Sequence, residues 1–218
     1  MNHRARVFLS WLLILGGVVR QVTAATPTNA PANEGRNVLT KEEKAAGWVL
    51  LFDGQTLKGW MPRGTAKWEA VDGTVRSIAN TGSGMLCTEE LFRNFEIKAE
   101  FWENEKANSG IYFRCVLTGA VTGTNSYEAN IYDKQPGGAF PTGSLVNVTR
   151  PPDQPSTIDR WNTYEIKADG DHFVLKLNGV QTVDSHDATH LAAGPIGLQQ
   201  SAGAGVVRFR SIKVRRLP

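Results

Sequence analysis

Tyr112, Arg114, Glu128 and Asn130 are the residues of this chain whose types and spacing point most directly to chemistry. They fall in two short segments, Asn108-Ser109-Gly110-Ile111-Tyr112-Phe113-Arg114 and Tyr127-Glu128-Ala129-Asn130-Ile131-Tyr132-Asp133. Polar and apolar residues alternate in both, the period of a strand with one buried face. Alternation puts Ile111, Phe113, Cys115, Ala129 and Ile131 on one face and the four polar residues on the other. A phenol, a guanidinium, a carboxylate and an amide together are too polar for a core. They suit a surface that grips a hydroxylated ligand. Arg114 and Glu128 on adjacent strands also read as a cross-strand ion pair, and the two readings are compatible.

Such a face needs a sheet to hold it, and the surrounding sequence is rich in strand signals. The stretch Thr118–Ser126, with Gly119, Gly123 and Asn125, reads as the loop of a long hairpin joining the two segments. Phe95 to Trp102 alternates as well and is expected to pair with the strand beginning near Ser109. Its polar face carries Glu96, Lys98, Glu100 and Trp102, which makes Trp102 a candidate for stacking on a sugar ring. Asp72-Gly73 and Asn178-Gly179 each separate two alternating runs, the signature of two-residue hairpins. Trp161–Ala168, Phe173–Leu177, Val180–Asp184, Gly194–Gln199 and Val206–Val214 complete the strand-like runs, the last with a phase shift that predicts a bulge near Ser211. Thr40-Lys41-Glu42-Glu43 is a capping box opening one short helix, stopped by Gly47. Roughly a dozen strands at this spacing predict an all-β sandwich or jelly roll. The region 134–160, with Gly137-Gly138, Pro141, Pro151-Pro152 and Pro155, reads as a long irregular segment.

The bulk properties fit one domain with appendages. The chain has 218 residues and a formal net charge of +3, too small to argue for nucleic acid as a partner. Residues 1–25 read as an export signal: Arg4 and Arg6, then an apolar run from Val7 to Val19, then small residues at Val22-Thr23-Ala24. Residues 26–39 read as a flexible leader and 40–218 as a single domain, with no membrane segment after signal removal. The protein is therefore expected to be periplasmic or secreted. Two cysteines, Cys87 and Cys115, fit no metal motif. An oxidising compartment would permit a bridge, and two small buried thiols fit the alternation equally well.

An ordered set of pieces resembles one known family. It comprises Leu51-Phe52-Asp53-Gly54 with Gly59-Trp60, Trp68 with Asp72-Gly73, Asn108-Ser109-Gly110-Ile111 with Phe113-Arg114, Tyr127-Glu128 with Ile131 and Asp133, Thr142-Gly143, Trp161-Asn162, Asn178-Gly179, and Gly197-Leu198-Gln199 with Phe209. Over about residues 47 to 217 these are similar to the 3-keto-disaccharide hydrolase domain family. The resemblance implies a concanavalin A-like jelly roll of two curved antiparallel sheets and action on sugars oxidised to a ketone at carbon 3. Some members carry His-Gly after the Gln of the Gly-x-Gln strand; here Gln200-Ser201 follows Gln199.

A carbon-3 ketone acidifies the hydrogen on carbon 2. A base removes it, the enolate is stabilised, the group on carbon 1 leaves and water adds back, giving net hydrolysis. On this reading Glu128 and Asp133 are candidates for base or acid, and Arg114 for stabilising the enolate. Asn108, Tyr112, Asn130, Gln199 and Trp102 are candidates for binding the sugar. No cofactor is expected; no dense Asp/Asn loop argues for Ca²⁺, and a divalent metal stays open. The oligomeric state also stays open. A non-catalytic carbohydrate-binding module is the alternative. An ordinary two-carboxylate glycosidase ranks third, since Glu96 and Glu100 lie roughly 13 Å apart along a strand.

Overall fold

The structure, a computed structural model, describes residues 35–154 and 156–218. The expected export signal and most of the leader lie outside the described residues. The end of the leader is docked: Asn37 donates to Gly73 O and accepts from Ser211 N–H. Helix α1 (Lys41–Ala45) follows, with the expected capping box between Thr40 and Glu43 in place.

Apart from a single 3-10 turn at Pro136–Gly138, the remaining described elements are strands: β1 (Val49–Leu50), β2 (Trp60–Gly64), β3 (Lys67–Val71), β4 (Thr74–Ile78), β5 (Gly84–Thr88), β6 (Phe95–Glu103) and β7 (Ser109–Phe113). They continue with β8 (Tyr127–Ile131), β9 (Trp161–Asp169), β10 (His172–Leu177), β11 (Val180–His186), β12 (Gly197–Gln200) and β13 (Val207–Arg216). Two antiparallel sheets result. The larger runs β11-β10-β9-β6-β13-β4-β3, with β1 on the far end of β13; the smaller runs β2-β5-β12-β7-β8. This is the expected jelly-roll sandwich.

The local signals act as expected. Asp72-Gly73 and Asn178-Gly179 take positive φ at both positions, which two-residue hairpin turns require. Ser211 takes φ 50° where the β13–β6 register slips. The bulge lets the first half of β13 border β4 and its second half border β1. One pairing expectation fails: β6 pairs with β9 and β13, and β7 belongs to the other sheet. The short link after β6 crosses between sheets, and Asn104 accepts from Val206 N–H to hold it there. The alternation of β6 is correct, but alternation specifies faces, not neighbours.

The core lies between the sheets. Phe113 and Tyr127 from the smaller sheet meet Phe95 and Phe173 from the larger, with Tyr127 and Phe173 ring centroids 4.4 Å apart. Truncating a fully buried ring such as Phe113 to Ala costs about 3–5 kcal/mol. The outer face of the smaller sheet is left to carry the site.

Candidate active site

Strands β7 and β8 pair Gly110 with Asn130 and Tyr112 with Glu128. All four point away from the core, as the alternation predicts. The next strand, β12, sets Gly197 beside Tyr112 and brings Gln199 onto the same face. Two of these positions being glycine leaves a trough between taller side chains.

Glu128 is the most unusual group in the trough. Its side chain lies over Gly110, close enough that a Cβ there would fall 2.6 Å from Oε1. The Tyr112 hydroxyl donates to Oε2 at 2.5 Å, and Gln199 Nε2 donates to the same hydroxyl at 3.2 Å. Gly123, from the loop joining β7 and β8, lies over Oε2, and the loop is pinned there by Asn147 Nδ2 donating to Gly123 O at 2.7 Å. Only 6% of Glu128 is exposed. Burial pushes its carboxyl up to about 7, the Tyr112 donation pulling the other way. Burial also raises the Tyr112 phenol, with the Glu128 charge adding to it, so the phenol stays a donor. A carboxyl near neutrality with Oε1 unbonded among the described residues can accept a proton.

Beside this group lies a cavity of about 410 Å³ lined by Arg63, Met85, Gln199, Gln200, Ser201 and the 119–121 stretch, within the range of small-molecule pockets. Arg63 holds its loop wall by donating to Val116 O and Gly119 O, each at 2.6 Å. Gln199 Oε1 is buried with no partner among the described residues. Asn108 shares the strand parity of Gly110 and Tyr112 and is half-buried, and its amide makes no hydrogen bond among the described residues. A depression of about 430 Å³ on the outer face of the larger sheet includes Glu96, Lys98, Glu165 and Arg215. Those charges are already paired with one another, Arg215 with Glu96 and Lys98 with Glu165.

The other expected residues are dispersed. Asn130 is on the predicted face but is spent on structure: Nδ2 donates to Phe140 O, holding the 134–160 segment against β8. Arg114 is not brought to Glu128. It takes φ 49° at the end of β7, which breaks the alternation. Its guanidinium donates to Arg93 O at 2.8 Å and His190 O at 3.3 Å and lies over the Phe173 ring. The expected Arg114–Glu128 ion pair is therefore absent, and Cys115 takes the face that parity assigns to Arg114. Cys115 packs there with Cys87, Met85 and Tyr112, and both thiols are free. Asp133 lies beyond the end of β8, tied to Thr157. Trp102 sits on the outer face of the larger sheet, paired with Trp161 and under Arg208, so it cannot stack on a sugar held beside Glu128. Trp161 is half-buried there with Arg210 over its ring.

Sequence reasoning missed Arg63, whose role depends on a loop more than fifty residues away. It also missed Glu103, which lies just past the alternating run ending at Trp102 and is the buried last residue of β6. The parity of β6 carried a signal for it, since Glu103 continues the inward series Phe95, Ile97, Ala99 and Phe101.

Residues 47–215 match the family model described as the 3-keto-alpha-glucoside-1,2-lyase-like domain. A stretch of 80 residues is 31% identical to a 3-keto-disaccharide hydrolase of Bacteroides thetaiotaomicron, covering 32% of this chain and 28% of that protein. The chain thus spans about 28% of the length of the curated relative it matches. A crystal structure from Parabacteroides distasonis, provisionally assigned as a glycosyl hydrolase, superposes with a TM-score of 0.72 at 20% identity, covering 84% of this chain and 100% of the other. A carbohydrate binding module, CBM66, from Bacillus subtilis superposes at 0.58 with 17% identity, covering 72% and 95%. At these identities the two structures speak to fold alone.

Proposed function

Because this chain belongs to the family of 3-keto-alpha-glucoside-1,2-lyase-like domains, we propose that it is an exported enzyme that cleaves 3-keto-glycosides or 3-keto-disaccharides by elimination and hydration. Glu128 takes the proton from carbon 2, and Tyr112 and Gln199 hold its carboxylate in place. Gln199, which lines the adjoining cavity, and the half-buried Asn108 amide bind sugar hydroxyls. Loss of the carbon-2 proton forms the enolate, whose collapse expels the group on carbon 1. Water then adds to the resulting double bond. The observation that carries this reading is the Glu128 carboxyl itself: buried, raised to about 7, donated to on one oxygen and unbonded on the other. Export rests on the signal-like residues 1–25.

Among the described residues the trough holds no second carboxylate, which argues against the two-carboxylate route of ordinary glycosidases. One observation favours a different reading, a non-catalytic sugar-binding module: Glu128 does not line the cavity that Gln199 lines. Purified protein incubated with a 3-keto-glucoside and with the unoxidised glucoside separates the readings. Release of aglycone from the keto form alone supports the lyase-type reaction. Binding without release from either supports the module, and release from the plain glucoside overturns both.

A further inference from the structure

Glu103 ends β6 pointing into the protein, and only 1% of it is exposed. Its Oε1 is hydrogen-bonded to Thr157 Oγ1, and the same Thr157 Oγ1 lies 2.8 Å from Asp133 Oδ1. A threonine hydroxyl has one hydrogen. Both contacts are hydrogen bonds only if one carboxyl brings a hydrogen of its own. Asp133 is partly exposed, and its Oδ2 is already occupied in accepting from Thr157 N–H at 2.7 Å, whereas Glu103 is fully buried. The hydrogen therefore belongs to Glu103, which donates to Thr157 while Thr157 donates to Asp133.

The contact occupies a particular place in the chain. Asp133 stands at the start of the 133–160 segment and Thr157 near its end, so the three residues close the neck of the loop. Backbone bonds lie beside it: Asp159 N–H donates to Glu103 O at 2.8 Å, and Gln154 Nε2 donates to Asp133 O at 2.6 Å. Between its ends the segment runs along β8, with Val146 N–H donating to Glu128 O and Asn130 N–H to Ser144 O, each at 3.0 Å.

We propose that Glu103 is carried as the neutral acid and serves as a pH-sensitive latch, closing the neck of the 133–160 segment through Thr157 and Asp133 and releasing it on ionisation. The groups facing Glu103 are Asp133 from beyond β8, Thr157 from the segment itself and the Tyr164 phenol from β9, whose hydroxyl donates to Asn130 O. The cations adjacent in sequence are engaged elsewhere, Lys134 with Glu105 and Arg160 with Ser156 O. Ionisation would leave two carboxylates competing for one hydroxyl hydrogen with no cation between them among the described residues. Burial first, with the Asp133 charge adding to it, raises Glu103 to about 8, which sets release on the alkaline side of neutrality. The latch is independent of whether Glu128 is a base.

Hydrogen exchange of the full chain tests this without any sugar. Protection of the Thr157 and Asp159 amides, corrected for intrinsic exchange, should fall about tenfold or more from about pH 7 to about pH 9.5. In Glu103→Gln it should stay level, because the amide donates to Thr157 at every pH. Asp133→Asn provides a second arm: its own amide supplies the missing hydrogen, and protection should again stay level. Wild-type protection that does not change with pH, or either variant falling as the wild type does, overturns the latch.

Discussion

The Tyr112 hydroxyl reaches Glu128 Oε2 at 2.5 Å across a single cross-strand pair, and Glu128 has no other hydrogen-bonded side chain among the described residues. One phenol therefore fixes the carboxylate rotamer, and removing either partner has separable consequences.

Glu128→Gln keeps the shape and the Tyr112 contact but cannot accept a proton. Aglycone release from a 3-keto-glucoside should fall about 10²–10⁴-fold, with an unchanged circular dichroism spectrum. Turnover near the wild-type rate would remove Glu128 from the chemistry.

Tyr112→Phe deletes the donor that favours the charged carboxylate. The Glu128 carboxyl should rise above its value of about 7. A base works when ionised, so the ascending limb of kcat/KM against pH should move to higher pH. A limb that stays in place would mean that another group titrates.

Gly110→Ala puts a Cβ 2.6 Å from Glu128 Oε1 and 2.9 Å from its Cγ. The carboxylate must swing away, and activity should fall about tenfold or more, the scale of a misplaced catalytic group. Gly197→Ala is the control on the same face. Its Cβ meets the two cysteine sulfurs at 3.5 Å, ordinary contact, so activity and Tm should change little.

Arg114→Ala should act on stability. It strands the carbonyls of Arg93 and His190 and uncovers Phe173, a loss of about 1–3 kcal/mol. Thermal unfolding checks this through a lower Tm. An unchanged Tm would contradict the anchoring role.

Stability itself should depend on pH. Glu128 and Glu103 are raised in the folded protein to about 7 and about 8 from an ordinary value of 4.5. The folded state then holds protons that the unfolded state has released. Their contribution is full below about pH 4.5 and is lost as pH rises through about 7 to 8. Denaturant midpoints across this range should decline, and Glu103→Gln should flatten the later part of the decline.

Much of the fold was legible in the sequence because it is set locally. Asp72-Gly73 and Asn178-Gly179 dictate hairpins through backbone conformation, and the phase slip before Ile212 marks the bulge at Ser211. Tyr112 and Glu128 were legible as residues of one face because period-two alternation is strict within an unbroken strand; that they pair with each other was not. Arg114 was not, since one left-handed residue resets parity and no sequence rule announces φ 49° at an arginine. Trp102 was misassigned because alternation tells outside from inside but not which of two sheets a strand joins. Asp133 shared a segment with Glu128, yet its partner Thr157 lies across a long irregular stretch.

The two edges of the smaller sheet are protected by different means. On one side β2 carries Pro62, which has no N–H to offer an incoming strand. On the other, β8 reads Tyr-Glu-Ala-Asn-Ile, with no proline, and its cover comes from the Ser144–Val146 backbone. If that cover peels back, β8 becomes a free hydrogen-bonding edge of apolar and aromatic composition that a second molecule could extend. Solubility of the folded protein thus depends on one irregular segment staying seated, and self-association should be the first visible sign of its release.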